Sequence, residues 1–346
     1  MTSPAPIAIL FANERAANHD VAGIPAAARV LREFAEDPSR EILVAVEGGW
    51  RADARCRQEI DRLAPDLRWR AVDPGEVGGA EHYRLPLSDK SQRPLDIPDL
   101  RLWAHRIVKA TGKPGDGIVS RHLNRPVSQA MTRILLRWPG ARPWHATLIA
   151  ALIGVAMALA LFLGGATGLI AGAILFQLAS IVDGVDGEIA RATFRSSARG
   201  AMMDSVTDAA TNLSFIAGVS FNLYTRGAEA AGIGGGIGFA LLATGSALLA
   251  LQSRRDGGDF TFDALKSRVR ARPSRIRQWL VWVTMRDFYA LAACIAILLG
   301  GASLLLFTFA TVAAGWFAAT CAMVLRPGRD ASQGPAPAPP SEQRQA

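Results

Sequence analysis

The chain has 346 residues, of which 50% are hydrophobic, and its 38 Lys and Arg against 30 Asp and Glu leave a net charge of +8. That length holds a membrane domain plus one small soluble domain. High apolar content with basic excess suits an integral membrane protein with basic loops, and no basic run is interleaved with aromatics as a single-strand groove requires, which excludes nucleic acid as a partner.

Residues 1–112 read as a small Rossmann-like α/β soluble domain. Ile7 to Ala12 is a short apolar strand, and Ile24 to Ala35 has helical spacing through Ala28, Leu31 and Ala35. Glu41 to Glu47 contains a buried-strand run, Asp53 to Leu63 is again helical, and Leu67 to Asp73 is a third strand. Alternating strands and helices favour a parallel sheet with right-handed crossovers. No basic segment followed by an apolar run opens the chain, so no cleavable signal is expected. Cys56, Cys294 and Cys321 lie far apart without metal-type spacing and read as isolated thiols.

The part from Val21 to Phe34 resembles the segment after the phosphate loop of sugar nucleotidyltransferases. Those enzymes place glycines and a basic residue after the first strand, so that backbone N–H groups cradle phosphate. Here Asn13-Glu14-Arg15-Ala16-Ala17-Asn18 has no glycine. The domain is therefore expected to be catalytically silent, supporting assembly or shielding the membrane site. Glu47, Gly48 and Gly49 read as a turn rather than a nucleotide pocket.

Residues 74–95 look like loop, and Ile97 to Thr111 like a helix running towards the membrane. Gly117 to Trp138 is a basic amphipathic segment. Leu123, Val127, Met131, Ile134, Leu135 and Trp138 make an apolar stripe, and Arg121, Arg125, Arg133 and Arg137 supply charge for lipid headgroups or substrate. That pattern predicts a helix lying in the interface, starting or bending near Asn124 because of Pro126.

Six apolar runs follow, near 146–164, 167–184, 201–223, 231–251, 284–301 and 303–325, each long enough to span. The links near 165, 226 and 302 carry only Arg226 and Glu229, whereas those near 191 and 254–277 are basic. The positive-inside rule then predicts a multi-pass inner or plasma-membrane protein with both termini and the N-domain cytoplasmic. Gly232, Gly234, Gly236 and Gly238 have small-xxx-small spacing, read as close helix packing or a dimer seam. Arg286 and Asp287 begin the fifth run, as an ion pair, an interface anchor or, for Arg286, an acceptor-binding group. The tail 327–346 is rich in Pro, Ala and Gln and is expected to be disordered.

Acidic residues stand out against the second and third apolar runs. Asp183 and Asp186 are three residues apart, Asp204 and Asp208 four, so each pair shares a helical face. Carboxylates at the mouth of a membrane point to a site. Four together repel, and a hard cation such as Mg²⁺ or Mn²⁺ resolves this with an all-oxygen ligand set, one or two ions leaving positions open for phosphate oxygens.

Asp183, Asp186, Gly187, Ala190, Arg191, Gly200, Asp204 and Asp208 fill every fixed position of D-x2-D-G-x2-A-R-x8-G-x3-D-x3-D. This resembles the signature of the CDP-alcohol phosphotransferase family, over residues 113–326. Lys113 to Gly117 and Ser120 to Pro126 resemble the first helix of a branch that makes inositol-phosphate diesters such as di-myo-inositol phosphate phosphate, near the phosphatidylinositol phosphate synthases. The resemblance implies six transmembrane helices, a homodimer, and transfer of a phospho-alcohol or phosphatidyl group from a CDP-linked donor, of CDP-diacylglycerol or CDP-inositol type, to a hydroxyl with release of CMP. It implies that Asp208 is the general base, that Asp183, Asp186, Asp204 and Asp208 hold the metal, and that Gly187, Arg191, Ser197 and Gly200 contact the nucleotide. Thr147 belongs to a P-N-x-x-T pattern in which Trp144 replaces Asn. A donor-making N-domain and a non-catalytic membrane scaffold are the alternatives.

Overall fold

The computed structural model describes residues 5–37, 39–83, 85, 94–255 and 285–325. The basic link at 256–284 and the tail from 326 lie outside the described residues, and with them the expectations placed there. The described chain divides into two compact units. One comprises residues 5–157, 172–212 and 285–294, the other 158–171, 213–255 and 295–325.

In the first unit, β1 (Ile7–Phe11), β4 (Ile42–Val46), β5 (Trp69–Val72) and β6 (Glu81–His82) form one parallel sheet in the order β5-β4-β1-β6. β1 and β4 are apolar on both faces because helices cover one and Val77 and Ala80, from the segment after β5, cover the other. Ile7, Ile9 and Phe11 face a core that contains Val30, Leu31 and Ile60, while Ala8 packs with Leu43 and Val72 on the other side. The helices are α1 (Glu14–Ala17), α2 (Ala26–Glu33) and α3 (Ala54–Leu63).

The helix expected from Ile24 starts two residues later. Ile24–Pro25 (β3) pairs antiparallel with Asp20–Val21 (β2), because the residue before a proline is disfavoured in the helical region and Pro25 itself is extended, with ψ 140°. The hairpin turns at Ala22 and Gly23, both with positive φ. The place of the absent phosphate loop is taken by α1, whose first turn is capped by Asn13 Oδ1 accepting from Ala16 N at 2.9 Å. Cys56 is fully buried, and burial pushes its thiol up to about 12, so it is inert.

α4 (Ile97–Ala110) leads to a π-helical turn, Ser120–Asn124, that continues as α5 (Arg125–Leu135). The bend expected at Pro126 is that change of helical pitch. On α5 the polar face is buried, with Ser128 and Thr132 inside, while Val127, Ile134 and, beyond it, Trp138 are exposed. Met131 and Leu135 of the expected stripe instead pack inward beside Leu136.

α6 (Pro143–Leu163), α7 (Gly165–Ala192), α8 (Ala198–Thr225), α9 (Glu229–Arg255), α10 (Arg286–Leu298) and α11 (Ala302–Leu325) follow. Among the described residues, four helices (α6, α7, α9 and α11) are long and apolar enough to cross a bilayer. α8 has 28 residues, but Asp204, Asp208, Asn212 and Asn222 lower its hydropathy; α10 has 13. The first unit runs through the outer part of α6, the latter part of α7 and the start of α8, where the acidic residues are.

In the second unit, Asn222 Nδ2 donates to Leu161 O and Gly165 O, both at 2.8 Å, closing the turn between α6 and α7. α9 packs on α11 through glycine. A Cβ at Gly238 would stand 2.9 Å from Ala310 Cα, and Gly245 lies under Trp316, but Gly236 faces open space. Gly234, Gly235, Gly238 and Gly245 face α11, Gly232 faces Ser220 and Tyr224 of α8, and of the expected series Gly236 alone meets nothing. Residues two apart on a helix do not share a face.

Candidate active site

The latter part of α7 and the start of α8 carry the acidic motif, and a short turn joins them. Asp183, Asp204 and Asp208 come together, each offering a carboxylate oxygen within 4.8 Å of the others. Asp186 stands apart from that group. It is buried, and its Oδ2 accepts from Thr147 Oγ1 at 2.7 Å. Thr147 thereby ties α6 to α7.

Three carboxylates this close require positive charge. Arg286 from α10 supplies some, pairing with Asp183 at 3.1 Å and in direct contact with Asp208. Its Nε is buried without a partner. The donor set is oxygen only, with no His or Cys in the cluster, and so fits a hard divalent ion rather than zinc.

Behind this cluster lies a buried charge network. Glu188 is fully buried and accepts from Arg125 Nη1 at 2.8 Å, Ser128 Oγ at 2.6 Å and Thr132 Oγ1 at 2.6 Å. Arg125 also holds Asp116 with two bonds, at 2.7 and 3.0 Å. Burial alone would raise the Asp116 carboxyl, but hydrogen bonding and charge from Arg125 bring it below its ordinary value. Gly184 lies close under this network, since a Cβ there would stand 3.1 Å from Arg125 Nη1.

The remaining residues of the motif pack around these groups. Arg191 lies over Gly187, where a Cβ would be 3.0 Å from its Nη1, and its Nε donates to Thr111 O at 2.8 Å. Ser197 Oγ caps α8 by accepting from Gly200 N at 3.1 Å. Arg286 and Asp287 do not pair with each other. Asp287 accepts from Ser120 N at 2.6 Å. Together Lys113, Asp116, Ser120, Arg125, Asp183 and Arg286 line a polar cavity of about 180 Å³ that opens beside the carboxylates.

Glu188, Gly184 and the Asp116–Arg125 pair were not singled out by sequence reasoning as one network. The available signal was an additional carboxylate in an apolar helix. Its partners, Ser128 and Thr132 four residues apart on the polar face of α5, mark where such a group is received.

The sequence profile described as CDP-alcohol phosphatidyltransferase matches residues 142–258, which include all four motif aspartates. The chain is 36% identical over 169 residues to a protein of Thermococcus kodakarensis named bifunctional IPC transferase and DIPP synthase, covering 48% of this chain and 35% of that protein. A protein of the same name from Rubrobacter xylanophilus is 38% identical over 164 residues, 46% of this chain and 34% of the relative. One from Archaeoglobus fulgidus is 35% identical over 134 residues, 38% of this chain and 26% of the relative. The chain thus spans about a third of the length of the first two relatives. The acidic cluster lies inside the segment, residues 142–258, that matches the CDP-alcohol phosphatidyltransferase family.

Proposed function

We propose that this chain is a membrane transferase that moves a phospho-alcohol or phosphatidyl group from a CDP-linked donor to an acceptor hydroxyl, releasing CMP. The observation that carries this reading is the convergence of Asp183, Asp204 and Asp208 inside the matched domain. These three, with Asp186 behind them, would hold one or two Mg²⁺ or Mn²⁺ ions, which when bound neutralise charge on the donor pyrophosphate and the departing CMP.

Asp208 is the general base in this reading. It takes the proton from the acceptor hydroxyl as that oxygen attacks the phosphorus distal to cytidine, and the bond from that phosphorus to the CMP oxygen breaks. Thr147 fixes the Asp186 carboxylate through its hydroxyl. Gly187 and Gly200 keep the backbone open to the nucleotide, with Arg191 and Ser197 beside them. The polar cavity, with Lys113, Arg125 and Arg286 set against Asp116, Asp183 and Asp287, is the proposed place of a polar acceptor such as an inositol or glycerol phosphate.

The wider architecture belongs to the same proposal. α8 and the run beginning at 284 complete six spans, α5 lies in the interface, and the N-domain, site and C-terminus face the cytoplasm of a homodimer. The N-domain is read as catalytically silent. α1 fills the place of a phosphate loop, and the cavity at the ends of β4 and β5 carries Glu14, Asp73 and Glu76 against Arg51, unfavourable to phosphate. Full-length protein given CTP and a sugar phosphate is expected to release no pyrophosphate; release would make the chain bifunctional.

Labelled CDP-diacylglycerol and CDP-inositol, each supplied with candidate acceptors, test the reaction. Labelled CMP or a labelled diester is the expected product, and its partition between lipid and water names the donor class. Intact donor under all conditions would contradict the assignment.

A further inference from the structure

α7 ends without the glycine that commonly closes a helix. Arg195 N donates to Ala190 O at 2.8 Å, the six-to-one bond of a Schellman turn, and the left-handed position inside it is Phe194, with φ 51°. A non-glycine residue there costs about 1–2 kcal/mol. The ring beyond that Cβ sits beneath two guanidinium groups of α2, with Arg29 5.3 Å and Arg32 5.6 Å from its centroid.

The last carbonyls of α7 and those of the turn are satisfied from the N-domain. Buried Arg29 donates to Ala192 O at 2.6 Å, and to Val21 O and Ala22 O of the hairpin at 3.0 and 3.2 Å. Arg62 of α3 donates to Thr193 O at 2.9 Å and to Phe194 O at 3.1 Å. Arg195 reaches back to Glu59, which Arg62 also pairs. The hairpin tip is wedged against the same turn, since a Cβ at Gly23 would stand 2.8 Å from Leu136 and 3.1 Å from Thr193. Burial lowers the Arg29 guanidinium to about 10, so it stays charged at neutral pH.

We propose that the N-domain is a positioning clamp for the acidic site: Arg29 and Arg62 cap the C-terminus of α7 and, with Phe194 as the docking ring, fix the turn that sets Asp183 on α7 against Asp204 and Asp208 on α8. None of these residues touches the carboxylates. They act through five residues of backbone, Thr193 to Ser197, between the two helices. This gives a silent nucleotidyltransferase-like domain a function it retains without a phosphate loop. The inference rests on reading the carboxylates as a cation site.

The test is Mn²⁺ binding to full-length protein by electron paramagnetic resonance, for wild type, Phe194→Gly, Arg62→Ala, Arg29→Met and Arg40→Ala. Phe194→Gly removes the Cβ, which makes the left-handed turn easier, and with it the ring that docks on Arg29 and Arg32. A turn that needed local geometry alone would bind Mn²⁺ as well as before or better. The clamp predicts about tenfold weaker binding in Phe194→Gly and Arg62→Ala, the size typical of lost support behind metal ligands. It also predicts lower kcat for CMP release, with donor KM changed less at saturating metal. Arg40→Ala, on a half-buried arginine that holds Ala5 O and Glu81 away from the turn, should match wild type. Equal Mn²⁺ affinity in wild type, Phe194→Gly and Arg62→Ala would overturn the clamp alone, even if Arg29→Met fails to fold. Absence of bound Mn²⁺ from wild type would overturn the cation reading and the clamp with it.

Discussion

Asp208 and Glu188 are both carboxylates on the two helices of the acidic motif, and their surroundings give them different work. Asp208 is partly accessible and meets Asp183 and Asp204. Asp208→Asn is expected to lower CMP release by about 10²–10⁴-fold while donor binding is partly kept, as for loss of a general base; turnover near wild type would remove that role. Glu188 is sealed from solvent with three donors around it. Removing one partner of a buried pair strands the other, at about 3–5 kcal/mol. Glu188→Ala should therefore lower the melting temperature in detergent sharply, and Glu188→Ala with Arg125→Ala should cost less than the two singles summed. Additive losses would mean that the two side chains do not share one network. Asp116 adds a pH dependence. Its carboxyl is held below the unfolded value, so its stabilisation is present above about pH 4 and is lost as pH falls through the folded value. Melting temperatures of wild type and Asp116→Asn should differ at neutral pH and converge under acid. Asp204 and Asp208 were legible as a pair because four-residue spacing puts them on one helical face, whereas the same rule paired Asp183 with Asp186, and the structure instead sets Asp183 with Asp204 and Asp208 and leaves Asp186 apart. The partners of Glu188 and Asp186 were not legible, because Thr132 and Thr147 are brought in by other helices, which no local period encodes.

At the scale of elements, apolar period was enough to find the strands β1, β4 and β5 and the long helices, and the motif residues fell where α7 and α8 were expected. The boundaries moved where chemistry intervened. Pro25 kept Ile24 in a hairpin, and the Asn13 cap turned a presumed loop into α1. The glycines of α9 needed the partner helix before their faces could be told apart. Gly238→Leu should overpack the contact with α11 and destabilise by about 1–3 kcal/mol, whereas Gly236→Leu, which faces open space, should be close to neutral in the same melting assay. Equal effects would mean that α9 packs on another side.

For the whole molecule, Arg29 and Arg62 tie the N-terminal α/β segment to the turn after α7, which leads into the helix that carries Asp204 and Asp208. That contact could not be read from sequence, because Arg29 and Ala192 are 163 residues apart and nothing in either segment announces the other. It also joins the topology to the chemistry, since the side that holds the N-domain must hold the carboxylates. The most direct test is CMP release from a labelled CDP-linked donor by full-length protein in membranes, with and without divalent metal, for wild type and Asp204→Asn. The account predicts release that requires Mg²⁺ or Mn²⁺, stops with chelator and is lost in the variant. Release that persists in chelator, or that survives Asp204→Asn, would contradict it.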